Sequence, residues 1–287
     1  INAEGLWGRH EDLDGVIAKV CQNAGDLSVL QELHAAPLNT ELLSERISQV
    51  RDSGVTVAVR VSPQNAREIA PIAIAAGAEL LFIQGTLLSA EHVSTGGEPL
   101  NLKEFIGTLE VPVIAGGVVD YTTALHLMRT GAAGVIVGGG VNTNAETVGI
   151  DVPLATAIAD VSAARRDYLD ETGGRYVHIL ADDDLTSSAD MAKAIACGAD
   201  AVILGPLLAQ AQEAGANGFY WPAAAGHPRF PRGVVEYVGP VDFDVDGIEE
   251  NNQPSLETVL YGPSNEPFGQ LNLVGGLRRA MAKCGYT

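Results

Sequence analysis

Three observations in the chain predict an α/β fold of the (β/α)8 TIM-barrel type. First, four stretches repeat one local design, a helix-ending glycine, a small or polar step and a short apolar strand: Gly54–Val61, Gly77–Gln84, Gly131–Gly138 and Gly198–Gly205. Glycine reaches the left-handed conformation that closes a helix at little steric cost. Second, the β-branched runs after these glycines are continuous rather than alternating, as in strands buried on both faces. Third, Ala-rich amphipathic segments lie upstream of most of the strands, a serial α/β order that suits one large barrel in 287 residues. Barrels of this type carry their chemistry in the loops after the strands, which directs the search for a site.

Taken in order, residues 1–10 read as the tail of a strand and a Gly-containing loop. Asp12–Gln22 predicts a helix with acidic residues near its start, where negative charge suits the dipole. Leu27–Ala36 is ambiguous, and Pro37 ends it. Asn39 or Thr40 caps a helix to about Asp52, Val55–Val61 is a strand, and Asn65–Ala76 is a helix interrupted by Pro71. Strand Leu80–Ile83, helix Leu102–Leu109, strand Val111–Ala115, helix Tyr121–Thr130 and strand Gly134–Val137 follow. A Gly/Asn loop leads to a long helix from Pro153 to about Glu171, with proline in its first turn. Strand Tyr176–Ala181, helix Ser187–Cys197 and strand Ala201–Leu204 complete the series. Six strands are two short of a closed barrel; the expectation is a single domain over 1–287 whose first strand–helix units precede Ile1, with an open six-stranded sheet as the alternative. From about residue 219 the pattern changes to a flap and tail: an aromatic cluster Phe219–Pro222, expected in core or interface, an acidic Asn-rich loop Asp242–Asn252, and a helical stretch Leu273–Lys283.

Bulk properties narrow the function. A formal charge of −19 argues against nucleic acid, whose phosphates call for basic patches, but leaves room for a small anion held by backbone N–H groups. No apolar run approaches the roughly 20 residues of a membrane span. Three widely spaced cysteines make no disulfide framework, and a cytoplasmic setting is expected. The histidines show no metal-ligand spacing, so no metal is expected. His178 shares a strand face with Leu180 and Asp182 and is expected to be a hydrogen-bonded interior histidine.

Two strand-end loops could carry chemistry. In Ala181-Asp-Asp-Asp-Leu185, Asp182 reads either as an acceptor for sugar hydroxyls or as part of a solvated turn capping the next helix. Asp183 and Asp184 would repel a phosphate dianion, and Pro206 beside Gly205 removes an N–H donor from the anion corner that barrels build there. In the second loop, 138–148, the run Gly138-Gly139-Gly140 allows close backbone approach to a ligand. Thr143, Glu146 and Thr147 offer hydroxyl and carboxylate groups there, and a bland Gly/Asn loop is the alternative.

Together these segments resemble the IMP dehydrogenase/GMP reductase family. The matching residues are Ala115-Gly-Gly-Val118, Leu127–Gly138, Val152–Ile158, Ala181-Asp182, Ala192–Gly205 and Leu273–Arg278. Gln31–Leu38, Arg60–Asn65 and Arg165–His178 are similar to the bacterial IMP dehydrogenase-related branch. The resemblance implies a (β/α)8 barrel, commonly a homotetramer, that binds a purine 5′-monophosphate and NAD or NADP. In that family a loop cysteine attacks the purine ring and hydride passes to or from the cofactor. It implies substrate contacts at Asp182, Asp184, Gly205 and Gly139, and cofactor contacts at Gln84 and Gly117. The chain departs from the family pattern at several of these points. The loop Gly138–Thr147 has no cysteine, Asp183-Asp184 stands for Gly-Gly, and Gly205-Pro206 stands for Gly-Ser. Gln84 stands for an Asp and Gly117 for an Asn. The expectation is a purine-nucleotide oxidoreductase with a degenerate site, in which Thr143 or Glu146 assists. The alternatives are a non-catalytic purine- or nucleoside-binding barrel with a regulatory or assembly role, and a flavin-phosphate barrel.

Overall fold

Each of the four repeated glycines takes a positive φ: 81° at Gly54, 112° at Gly77, 99° at Gly131 and 120° at Gly198. At each of them a helix stops and the chain turns into the next strand, as the left-handed conformation requires. In the computed structural model, which describes residues 1–86, 88–92, 98–139, 149, 151–239, 242–243, 249–250 and 253–285, these turns punctuate one parallel sheet. Its strands are β1 (Ala58–Val61), β2 (Leu80–Gln84), β3 (Val113–Val118), β4 (Gly134–Val137), β5 (His178–Ala181) and β6 (Ala201–Val202), and their order in space is their order in the chain. Ahead of β1, Asn2 forms a parallel bridge with Arg60, and the amides of Ala3 and Arg60 donate to the carbonyls of Arg60 and Ile1, both at 2.8 Å. Residues 1–3 thus continue the sheet, as the expected strand tail.

Helices α1 (Leu13–Gln22), α2 (Leu27–His34) and α3 (Thr40–Asp52) precede β1. The crossovers are α4 (Ala66–Ala75), α5 (Leu102–Gly107), α6 (Tyr121–Met128), α7 (Leu154–Thr172) and α8 (Ser188–Cys197). Caps fall where short polar side chains can reach orphan amides. Asp12 accepts from Gly15, Asn39 from Leu42, Asp120 from Thr123 and Ser187 from Asp190. Pro71 sits inside α4 without ending it. The ambiguous stretch resolves as α2, held by Asp26 at its start. Pro153 is the residue before α7 rather than its first helical residue. Ser187 caps α8, so the run Asp182–Asp184 does not.

Every residue of β4 is buried, and its Val135 and Val137 pack with Val59, Val61, Leu81, Ile83, Val113, Ile179 and Ala181 in the main core. A second cluster packs Leu6, Val20, Leu30 and Leu33 against Ala225 and Val235, so the start of the chain is joined to the segment after β6. A third packs Met191 and Leu207 with Val259 and Leu273, seating the late helices α10 (Leu256–Tyr261) and α11 (Leu273–Lys283) under α8 and α9 (Pro206–Ala209). Within the acidic loop, Asp242–Phe243 pairs antiparallel with Glu249–Glu250.

The sheet is curled. Gln84 at the end of β2 donates a hydrogen bond to Asp182 just past β5. Three strand spacings separate them, on the order of 14 Å on a flat sheet, so the bond forms only because the strand ends bend round toward one another. Among the described residues no helix is long and apolar enough to cross a membrane.

Candidate functional site at the strand ends

Asp182 is the centre of the site. Its backbone N–H donates to the carbonyl of Val137 at 2.8 Å, which ties the residue to the top of β4, and its side chain is buried. Burial pushes its carboxyl up from the ordinary value, while the Gln84 amide and the charge of Arg60 pull the other way. Arg60 projects from β1 and is itself mostly buried, facing Asp182, Glu4 and Tyr220; burial lowers its pKa against the opposing effect of those three groups. Glu4 is held by donors from Ser62 and Asn65. The Tyr220 phenol is pushed up to about 12, first by burial and then by the negative charge of Asp182. A buried carboxylate, a guanidinium, a carboxamide and a protonated phenol therefore share one low-dielectric end of the sheet. Such a set recognises hydroxyls and holds protons in place.

The glycines at this end are there for space. A Cβ on Gly117 would lie 1.8 Å from the carbonyl oxygen of Gly138, and one on Gly138 would lie 2.2 Å from that of Asp182. Neighbouring loops therefore approach backbone to backbone. Gly205 precedes α9, a helix of four residues with Pro206 in its first turn. A Cβ on Gly205 would come within 2.9 Å of the Tyr220 hydroxyl, so the phenol ring covers this corner.

Of the residues that the sequence marks, Asp182 and Gln84 come together as direct partners. Gly205 joins them through Tyr220, and Gly117 through the Gly138 backbone. Gly139 follows that backbone directly, at the start of the loop. Asp184 is exposed and lines a separate depression with Asp151 and Lys193. Thr143 and Glu146 lie outside the described residues. His178 is a correction: it is exposed at the opening residue of β5, stacked edge-on to Tyr176 and 4.0 Å from Asp200, because that end of the strand faces away from the strand-end loops. Two members of the site, Arg60 and Tyr220, are not marked as site residues by the sequence. Arg60 alternates with the fully buried Val59 and Val61, and an arginine inside so apolar a strand is the signal that could have flagged it. Tyr220 gives no such signal, since its aromatic neighbours read equally well as core. The cysteines stand apart: Cys21 is half-buried on α1 with its thiol pushed up by burial, Cys197 lies on α8, and Cys284 follows α11. Among the described residues no group of three His, Cys, Asp or Glu side chains could hold a metal ion.

Known proteins show the same design. A crystal structure of an IMP dehydrogenase/GMP reductase-like protein from Corynebacterium glutamicum superposes with a TM-score of 0.90 at 66% identity, covering 100% of this chain and 74% of that one. An uncharacterized oxidoreductase of Mycolicibacterium smegmatis is 59% identical over 100% of this chain and 76% of its own length. Inosine-5'-monophosphate dehydrogenase of Methanocaldococcus jannaschii is 28% identical over 64% of this chain and 38% of that protein. These likenesses carry the barrel-type fold and support a general oxidoreductase role. The model of the IMP dehydrogenase / GMP reductase domain matches residues 48–225, a span that includes Arg60, Gln84, Gly117, Asp182, Gly205 and Tyr220, and the chain belongs to that family.

Proposed function

We propose that the protein is a purine-nucleotide oxidoreductase of this family with an altered site, acting on IMP, XMP or GMP with NAD or NADP. The observation that supports the reading is Asp182, a buried carboxyl at a strand end that accepts from Gln84 and faces the charge of Arg60, at the position the family resemblance gives to ribose hydroxyls. The loop 138–148 holds no cysteine, so a thiolate attack on the purine is not available from it. Thr143 and Glu146 remain the residues proposed to assist. Asp184 and Gly139 are proposed as further substrate contacts. A nicotinamide cofactor would supply the hydride acceptor or donor. Gln84 directs its amide N–H to Asp182, and Gly117 is wedged against the Gly138 carbonyl. These two positions therefore fit a nicotinamide poorly. A single domain, a tetramer of identical chains and a cytoplasmic location belong to the same proposal. Following nicotinamide absorbance with each nucleotide tests it: turnover without a covalent cysteine adduct is expected. A trapped cysteine–purine adduct, or no turnover with any pair, contradicts it.

A second reading is a purine- or nucleoside-binding barrel without catalysis. The observation favouring it is the Tyr220 ring over Gly205, beside a proline that lacks the N–H a phosphate would use. Under this reading nucleosides bind as well as nucleotides and no absorbance change follows.

A further inference from the structure

The turn that follows α9 contains the only Asn-Gly step in the sequence, Asn217-Gly218. Both residues sit at positive φ, 49° and 85°, in the left-handed region that asparagine and glycine tolerate. Asn217 is exposed, and among the described residues its carboxamide makes no hydrogen bond. The amide N–H of Gly218 likewise donates to no described group. Other asparagines are occupied. Asn23 donates to the Lys19 carbonyl at 2.8 Å, and Asn65 donates to Glu4. Asn39, Asn101 and Asn272 accept from the amides of Leu42, Glu104 and Gly275 as helix caps. Asn265 is exposed, but the amide of the next residue, Glu266, donates to Ser264 Oγ at 3.3 Å.

An unbonded carboxamide beside an unbonded, unshielded backbone nitrogen supports one reaction that needs only base and water. The Gly218 nitrogen gives up its proton and attacks Cγ of Asn217, closing a five-membered succinimide. The side-chain nitrogen takes up a proton and leaves as ammonia. Water then opens the ring at one of its two carbonyls, giving aspartate or, with the backbone rerouted through Cγ, iso-aspartate. No oxidant or reductant takes part. Ring closure requires the backbone of Asn217 to rotate out of its turn. Two bonds hold that turn: Asn217 N–H to the Ala214 carbonyl at 3.2 Å, and Phe219 N–H to the Ala216 carbonyl at 2.9 Å.

We propose that Asn217 is a site of spontaneous deamidation, and that its iso-aspartyl form loosens the pairing of Phe219-Tyr220 with Glu236-Tyr237. The pairing is antiparallel, and beside it Val238 N–H donates to the Gly218 carbonyl at 2.8 Å. Gly218 is buried, and a Cβ on it would lie 2.6 Å from the Tyr237 ring. An extra backbone methylene immediately before so tight a contact displaces the Gly218 carbonyl from Val238. The proposal does not depend on the purine reading.

The whole chain is held in mildly alkaline buffer and sampled over time by isoelectric focusing. Peptide mapping, with fragmentation that separates aspartate from iso-aspartate, locates the change. Expected is an acidic shift of one charge, arising at Asn217 before any other asparagine, with iso-aspartate the larger product. Asn217→Gln, whose longer side chain would have to close a larger ring, is expected to abolish that first shift. Amide exchange at residues 219, 220 and 238 is expected to quicken in the aged chain. Fresh Asn217→Asp carries the new charge without the extra methylene and is expected to exchange as the native chain does. Conversion first at another asparagine, or an Asn217 that stays an amide, overturns the site. Unchanged exchange in the aged chain, or an equal rise in fresh Asn217→Asp, overturns the effect on the strand pair.

Discussion

Burial raises the carboxyl of Asp182, so holding it ionised at neutral pH costs the fold stability. A carboxyl whose folded pKa is raised contributes stability below its ordinary value, about 3.9, and loses it as pH rises through the folded value. Asp182→Asn, which can still accept from Gln84, is therefore expected to gain stability relative to the native chain on going from acid to neutral pH, in denaturant titrations at both. A loss that grows toward neutral pH would show the carboxylate to be a structural ion-pair partner of Arg60. His34 runs in the opposite sense. Its pKa falls from 6.5 to about 4 on folding, so the unfolded chain binds the extra proton between those values. Stability is then full above 6.5 and declines as pH drops toward 4, by up to about 3 kcal/mol. His34→Gln is expected to flatten that slope in melts across the window; an unchanged slope would mean the imidazole is hydrated. Asp182 was legible from its place after an apolar strand. His34 was not, because its burial comes from residues 209–226, far along the chain and without any local pattern that points back to α2.

The elements were read well wherever a glycine or a cap set the boundary, as at Gly54, Gly77, Asp120 and Ser187. They were read less well where tertiary contacts decide. β1 begins at Ala58 instead of Val55, because the ladder with β2 starts with Ala58 opposite Leu80. β3 runs on to Val118 because Gly116 and Gly117 let it press against β4 and the loop after it. The two ends of that logic can be compared directly. Gly117→Ala would drive a methyl group to 1.8 Å from a backbone oxygen and is expected to cost about 3 kcal/mol or more, or to prevent folding. Gly107→Ala, at the end of α5 with nothing within 4 Å of the new Cβ, is expected to be neutral or to add about 0.5 kcal/mol. Melting temperatures of the pair check this, and equal effects would contradict the crowding at the end of β3.

At the scale of the molecule, one parallel sheet curls until the ends of β1, β2 and β5 bring Arg60, Gln84 and Asp182 together, and the segment after β6 lays Tyr220 over Gly205. The barrel-type curl could be read from the serial repeat, and the loss of an N–H donor from Pro206, but the covering of Gly205 by Tyr220 could not. It depends on a side chain fifteen positions after Gly205, placed by packing between the two ends of the sheet. The central proposal is that Asp182 recognises ribose hydroxyls while Tyr220 and Pro206 leave no phosphate seat at Gly205. Calorimetric titration of the full chain with inosine and with IMP tests it most directly. The account predicts affinities within tenfold of each other, both lost in Asp182→Ala. IMP binding more than tenfold tighter than inosine, or indifferent to Asp182, would contradict it.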